Sequence, residues 1–329
     1  MQNNNVKLFA VTLFCIGLTG CQTHSVKDID ANVYPIITIR TGIVRNPQRI
    51  FFISDVQAPM AFAKIIFKTH RNEDARDSLF ADIITQQPDY LFMLGDLTSK
   101  GSNEKAWAPL DNFLNSMNRI NTKVYAIPGN HEYMTKSSIG EKMFKDRFQE
   151  EWLNGYFVNI DSIAIVMLNS NFNKIDENKL SKQLVWYKSE MDSLDADPGI
   201  KAIIVCTHHA PYSNSWVVGS SETVQDLIVP VFEKSQKSKL FLSGHSHNLE
   251  YFSDSIGKHF LNIGCGGGIP QPLIPEDKRI YNDLISQDVK PLYSYLVIEK
   301  QGNYLKLIGK GFKKDFRFFE LDIGTITLN

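Results

Sequence analysis

Tyr90-Leu91-Phe92-Met93-Leu94-Gly95-Asp96 is the stretch that sets the reading of this chain. Its uninterrupted apolar run has the length of a strand buried on both faces, and it stops abruptly at a glycine and an aspartate. The same grammar recurs on either side. Ile50-Phe51-Phe52-Ile53 runs into Ser54-Asp55-Val56-Gln57, and Val124-Tyr125-Ala126-Ile127 into Pro128-Gly129-Asn130-His131-Glu132. Further on, Ala202-Ile203-Ile204-Val205-Cys206 ends in Thr207-His208-His209-Ala210-Pro211, and Leu240-Phe241-Leu242 ends in Ser243-Gly244-His245-Ser246-His247. Helical stretches at 74–87, 104–119 and 179–194 separate these runs, and 157–168 reads as an inserted strand or strand pair. After residue 292 the segments SYLVIE, NYLKLIG and FRFFELDI alternate as strands. Strands alternating with helices predict an α/β core. In such sheets ligands gather outside the carboxyl ends of the strands, where this chain delivers its Asp, Asn and His residues.

Composition narrows the class without naming a function. A length of 329 residues is enough for a sizeable core, and 43 % apolar with 22 % charged residues excludes a disordered or fibrous chain. With 35 Lys and Arg against 36 Asp and Glu, no basic surplus advertises a nucleic-acid surface, and no nucleic-acid partner is expected. Four cysteines are too few for a disulfide scaffold or a cysteine-based zinc site.

The N-terminus reads separately. One cation, Lys7, precedes an apolar run from Leu8 to Leu18, shorter than the roughly 20 residues that span a bilayer, so it reads as an export signal. Leu18-Thr19-Gly20-Cys21 resembles a bacterial lipobox, which implies cleavage before Cys21 and lipid attachment to it; an ordinary cleaved signal and an uncleaved anchor are the alternatives. The expected organisation is a lipoprotein signal peptide at 1–20, then a lipidated N-terminus, tether and first strand at 21–47, then one domain at 48–329. The expected location is the bacterial cell envelope, membrane-anchored by lipid at the periplasmic face or the outer membrane. Cys206 and Cys265 are left as two buried thiols or one bridge.

Five of the eight histidines (131, 208, 209, 245 and 247) sit at the strand ends, and His24, His70 and His259 lie elsewhere with no role assigned. Carboxylates, an amide oxygen and imidazoles without thiolates suit Mn, Fe or Zn in mixed oxygen and nitrogen sites. The set is too large for one tetrahedral zinc and suits two metals about 3.5–4 Å apart. His245 and His247, two apart in an extended turn, can aim at two adjacent ions. Gly264-Cys265-Gly266-Gly267-Gly268 lacks the lysine and Ser/Thr of a phosphate loop and reads as a backbone turn packed beside the metal loops.

Taken in order, Asp55-Val56-Gln57, Gly95-Asp96, Gly129-Asn130-His131-Glu132, Thr207-His208-His209-Ala210-Pro211 and Gly244-His245-Ser246-His247 resemble the calcineurin-like metallophosphoesterases, in their purple-acid-phosphatase-like branch. The resemblance spans roughly residues 48 to 268. It implies a four-layer sandwich of two mixed β-sheets flanked by helices. It also implies that Asp96 bridges two metals, that Asp55 and His247 hold the first, and that Asn130, His208 and His245 hold the second. His131 is then the catalytic residue that protonates the leaving oxygen or stabilises charge, and His209 faces the substrate or a helix. Position 57, commonly His in the family, is Gln57 here, which either ligates the first metal through its carbonyl or hydrogen-bonds a metal-bound water. Ser99 stands where purple acid phosphatases carry their iron-binding tyrosine, so Mn or Zn is favoured over an iron–tyrosinate site, and Mn most of all.

The implied activity is a phosphatase, hydrolysing a small phosphomonoester by in-line attack of a metal-bound water or hydroxide. A phosphodiesterase or nucleotide pyrophosphatase is the alternative within the fold. A catalytically silent binding lipoprotein is the alternative from another class.

Overall fold

The computed structural model describes residues 38–41, 48–60, 71–149 and 153–328, all within the compact unit Pro35–Asn329. The signal segment, Cys21, His24 and His70 lie outside the described residues. Two mixed sheets form the centre. The six-stranded sheet has the order β13-β12-β11-β2-β3-β4, with β2 (Gln48–Ile53), β3 (Tyr90–Met93) and β4 (Lys123–Ala126) parallel. Its other half is antiparallel: β11 (Tyr293–Gln301), β12 (Tyr304–Phe312) and β13 (Phe318–Thr327).

The seven-stranded sheet has the order β1-β5-β6-β7-β8-β10-β9. Its parallel centre is β6 (Ile163–Met167), β7 (Ala202–Cys206), β8 (Ser238–Ser243) and β10 (His259–Ile263). The expected pair at 157–168 is the antiparallel hairpin of β5 (Tyr156–Ile160) with β6. β1 (Thr38–Thr41) adds in parallel beside β5, and β9 (Leu249–Ser253) closes the other edge antiparallel to β10. The fold is α/β, two mixed sheets flanked by helices.

Alternation explains how the seven-stranded sheet stays buried on both sides. Along β6, Ile163, Ile165 and Met167 join the core shared with the six-stranded sheet, while Ala164 and Val166 face a second core. That second core is completed by Tyr187, Met191 and Leu194 of the helix Glu177–Ala196, spaced four and three apart on one helical face. On the six-stranded sheet the helix Glu104–Arg119 buries Trp107, Leu110, Phe113 and Met117 at the same kind of spacing, and Phe113 stacks on Phe80 of the helix Asn72–Gln86. Asn103, Asp176 and Ser221 cap their helices, each accepting a backbone N–H from the first turn.

Cys206 and Cys265 are separate, free, buried thiols, which closes the choice left open by the sequence. The glycine run behaves as a backbone turn: Gly266 N donates to Ser54 O and Gly268 N to Asp55 O. A Cβ on Gly268 would lie 2.5 Å from His247 Cε1, so a side chain there collides with the imidazole.

Candidate metal centre

The five strand ends meet where the two sheets face each other. Asp55 follows β2, Asp96 follows β3, and Asn130 and His131 follow β4; His208 and His209 follow β7, and His245 and His247 follow β8. The turns are stitched together by their backbones. Asp55 N donates to Gly95 O, Thr207 N to Leu242 O and Gly244 N to His208 O. Close approach demands glycine at one point: a Cβ on Gly129 would lie 2.3 Å from Asp96 N. Ten described non-glycine residues have positive φ, and four are Asp55 (58°), Asp96 (51°), His245 (67°) and His247 (48°). That conformation costs about 1–3 kcal/mol per residue and persists where surrounding contacts over-determine it, a mark of functional sites.

The carboxylates are buried and held by backbone donors. Asp55 accepts the His245 N–H at 2.9 Å, and Asp96 Oδ1 accepts the His131 N–H at 2.9 Å. Glu132, the last residue of the third strand-end motif, was given no role by sequence reasoning. It is buried and accepts N–H groups from Asp96, Leu97, Thr98 and Gly129, so one carboxylate clamps the Asp96 turn to the Asn130 turn. Burial and the Asp96 charge push the Glu132 pKa up to about 7.

Three imidazoles share one anchoring pattern. Nδ1 of His208 faces Leu94 O at 2.8 Å, Nδ1 of His247 faces Ile269 O at 2.7 Å, and Nδ1 of His131 faces Ser99 O at 2.8 Å. A carbonyl only accepts, so the neutral ring carries its proton on Nδ1 and presents a lone pair at Nε2. His208 Nε2 then lies 3.1 Å from Asn130 Oδ1 and 3.4 Å from Asp96 Oδ1, and His247 Nε2 lies 3.2 Å from Asp55 Oδ1. Lone pairs converging on lone pairs at these distances call for positive charge between them.

The electrostatics agree. Burial alone would lower the His208 pKa, but the Asp96 carboxylate outweighs it and brings it up to about 9. His247 is likewise raised, its Asp55 hydrogen bond overcoming burial. Burial would raise the Asp96 pKa, yet His131 and His208 hold that carboxyl well below its ordinary value. Oxygen and nitrogen atoms of Asp55, Asp96 and His208 come within 4.8 Å of one another, and ring nitrogens of His208, His209 and His245 do the same. Gln57 donates through Nε2 to Asp96 Oδ2 at 3.1 Å and lies 3.2 Å from His247 Nε2, while its Oε1 is buried without a hydrogen-bond partner. A buried carbonyl oxygen without a donor, on an amide that borders the Asp96 carboxylate and the His247 imidazole, fits a cation, so the residue set suits divalent metals.

All the strand-end residues singled out from sequence are brought together. His131 sits at the edge, its Nε2 3.8 Å from Asp96 Oδ2, beyond hydrogen-bond reach. His209 joins the cluster by a different anchor, with its Nδ1 2.8 Å from Ser170 Oγ. Burial and the neighbouring His208 push its pKa down to about 3, and burial with His209 and His208 lowers His245 as well. Asn169, Ser170 and Asn171 were missed by sequence reasoning. Leu168-Asn169-Ser170-Asn171 ends β6 with the same apolar-to-polar switch as the five motifs, and that signal marks it. Asn171 Nδ2 donates to Pro128 O, and Asn169 Nδ2 to Tyr133 Oη and Leu153 O, tying this turn to the Asn130–His131 loop. His259 lies away from the cluster, hydrogen-bonded to Tyr251 Oη.

Known proteins fall in line with this geometry. The chain is similar in fold to a dimetal phosphatase from Danio rerio, at 13% identity and a TM-score of 0.58 over 86% of this chain and 100% of that one. It is similar to a purple acid phosphatase from yellow lupin (Lupinus luteus) seeds, at 15% identity and a TM-score of 0.56 over 84% of this chain and 53% of that one. It is also similar to GAP50, the anchor in the inner membrane complex of Plasmodium, at 15% identity and a TM-score of 0.59 over 86% and 88% of the two chains. At these identities the likeness establishes the fold. Comparison with curated proteins gives no match. Residues 48–249, more than half of the chain and all five strand-end motifs, match the calcineurin-like phosphoesterases, and the chain belongs to that family.

Proposed function

We propose that this protein hydrolyses small phosphomonoesters at a two-metal centre held by Asp55, Gln57, Asp96, Asn130, His208, His245 and His247. The observation that carries this reading is the convergence of His208 Nε2, Asn130 Oδ1 and Asp96 Oδ1 with no donor among them once His208 is neutral. These residues would hold two divalent ions, Mn, Zn or Fe with Mn favoured, which when bound would supply charge to the phosphate and acidify the attacking water. Asp96 would serve both subsites, because its oxygens face His208 on one side and Gln57 on the other. His131 would act as the acid in its imidazolium form: Ser99 O holds the Nδ1–H, and the second proton, on Nε2, would pass to the leaving oxygen, leaving the neutral ring. Glu132 keeps the Asp96 and Asn130 turns in register throughout.

The test is turnover of metal-free protein against monoesters, diesters and dinucleotides, with Mn, Zn, Fe and Mg each added back. Monoester turnover restored best by Mn is expected. Turnover confined to diesters or pyrophosphates moves the assignment to a phosphodiesterase or nucleotide pyrophosphatase. Silence with every metal points to a binding lipoprotein.

The same reading places the protein in the bacterial cell envelope, held to the membrane by lipid on Cys21. The Leu18-Thr19-Gly20-Cys21 sequence supports it. Cys21→Ser is expected to abolish labelling by radioactive palmitate and to leave catalysis unchanged. Equal label in both proteins removes the anchor.

A further inference from the structure

The atom facing each Nδ1 divides the histidines of the cluster into two kinds. His131, His208 and His247 face backbone carbonyls, which fix the proton on Nδ1. His209 Nδ1 faces a hydroxyl, Ser170 Oγ, at 2.8 Å. A hydroxyl can donate. Ser170 Oγ accepts the backbone N–H of His209 at 3.0 Å, and among the described residues its own proton has no acceptor but His209 Nδ1. Nδ1 is then an acceptor, and the neutral ring carries its proton on Nε2, the reverse of its three neighbours. His209 presents an N–H where the others present a lone pair.

The placement gives that N–H a task. Ring nitrogens of His208, His209 and His245 lie within 4.8 Å of one another, and the His209 and His245 ring centroids are 4.6 Å apart. A donor set among metal-facing groups is positioned for an anion bound to the metals, rather than for the metals themselves. The residues flanking Ser170 are tied down: Asn169 N donates to Gln183 Oε1, Gln183 Nε2 donates to Asn169 O, and Asn171 N donates to Asn169 Oδ1. The turn that carries Ser170 is buried on both sides of it.

We propose that Ser170 and His209 act as a pair, in which Ser170 sets the tautomer of His209 and His209 donates its Nε2–H to a nonbridging oxygen of the bound phosphate ester. The proposal rests on the phosphoesterase reading above. It makes His209 a substrate-binding residue rather than a metal ligand, and Ser170 a positioning residue.

The experiment uses zinc-loaded protein, which is diamagnetic, with ¹⁵N-labelled histidine. Long-range ¹⁵N–¹H correlation spectra are expected to show His209 with its proton on Nε2, assigned by its disappearance in His209→Gln, and Ser170→Ala is expected to perturb that signal. Zinc content by elemental analysis should equal wild type in Ser170→Ala, His209→Gln and His209→Ala. Affinity for inorganic phosphate, measured by calorimetry, should fall roughly ten- to a hundred-fold in His209→Ala, the scale of a hydrogen bond to a charged partner. His209→Gln, which keeps an N–H donor near the same place, should recover part of that loss, and KM for the ester should follow phosphate affinity across the series. Loss of zinc from His209→Gln makes the residue a ligand and overturns the proposal, as does a proton on Nδ1 in wild type. Wild type that binds zinc but no phosphate overturns the phosphoesterase reading together with the pair. Wild type that binds phosphate, with His209→Ala unchanged, overturns the pair alone.

Discussion

The six-stranded sheet brings carboxylates, two amides and one imidazole to the centre, and the seven-stranded sheet brings four imidazoles. From the first come Asp55, Gln57, Asp96, Asn130 and His131, and from the second His208, His209, His245 and His247. Each half is held by the backbone of the other. His208, after β7, is aimed by the carbonyl of Leu94 after β3, and Asp55, after β2, is held by the N–H of His245 after β8. Neither sheet builds a site alone. Oxygens from one face and ring nitrogens from the other meet only when the sheets pack, so the cluster is a product of docking as much as of sequence. The halves also share a device, a buried glutamate that gathers a loop. Glu132 does this for the carboxylate half, and Glu250 does it for the imidazole half, accepting from Ser213 Oγ, Asn214 N and Asn262 Nδ2.

The comparison breaks hardest at Asp96, where the halves join. Asp96→Asn keeps shape but removes the charge that faces both groups of ligands. Activity near background is expected, with metal content falling from two ions towards one or none. Two tightly bound ions in the variant, counted by elemental analysis, refute the bridging role.

His131→Ala tests the edge of the carboxylate half. Metals should be retained while turnover falls by roughly 10²–10⁴-fold. The loss should shrink for p-nitrophenyl phosphate, whose leaving group needs no proton. Metal loss in this variant would make His131 a ligand.

Gln57 sharpens the contrast, because it puts an amide where an imidazole would extend the nitrogen set. Amide oxygen is a harder donor, so Mn should restore dialysed protein better than Zn. Gln57→His should lower the metal concentration for half activity and shift preference towards zinc or iron, and Gln57→Ala should raise it. Matching titrations for all three proteins would remove Gln57 from the metal site.

The smallest effect concerns Glu250. Burial raises the Glu250 pKa above 4.5, so the fold favours the neutral acid. Its contribution to stability is therefore complete below pH 4.5 and is lost as pH rises through the folded value. As pH rises from 4.5 the wild-type melting temperature should fall more than that of Glu250→Gln, by on the order of a few degrees. Parallel pH profiles would exclude the linkage.

Much of the architecture is legible in the chain because buried strands and amphipathic helices are local patterns. The helix expected at 104–119 is observed as Glu104–Arg119, and the run 202–206 as the strand Ala202–Cys206. The short returning strands β9 and β10 gave no such signal: Leu249–Ser253 carries the buried carboxyl of Glu250 inside it, and His259–Ile263 interrupts its apolar run with Asn262. Glu132 and Ser170 stood in plain sight beside the motifs, but their partners are remote in sequence. Glu132 clamps residues up to 36 positions away, and Ser170 meets His209 across 39.

Residue order alone settles that five apolar runs end in Asp, Asn and His, because burial and turn formation act over a few neighbours. It also supplies the chemistry on offer, oxygen and nitrogen donors without thiolates. Which nitrogen of each ring carries the proton is decided by what stands behind the ring, a carbonyl for His131, His208 and His247 and a hydroxyl for His209. That partner arrives from another strand end, so ligand and donor become distinguishable only once the two sheets have packed.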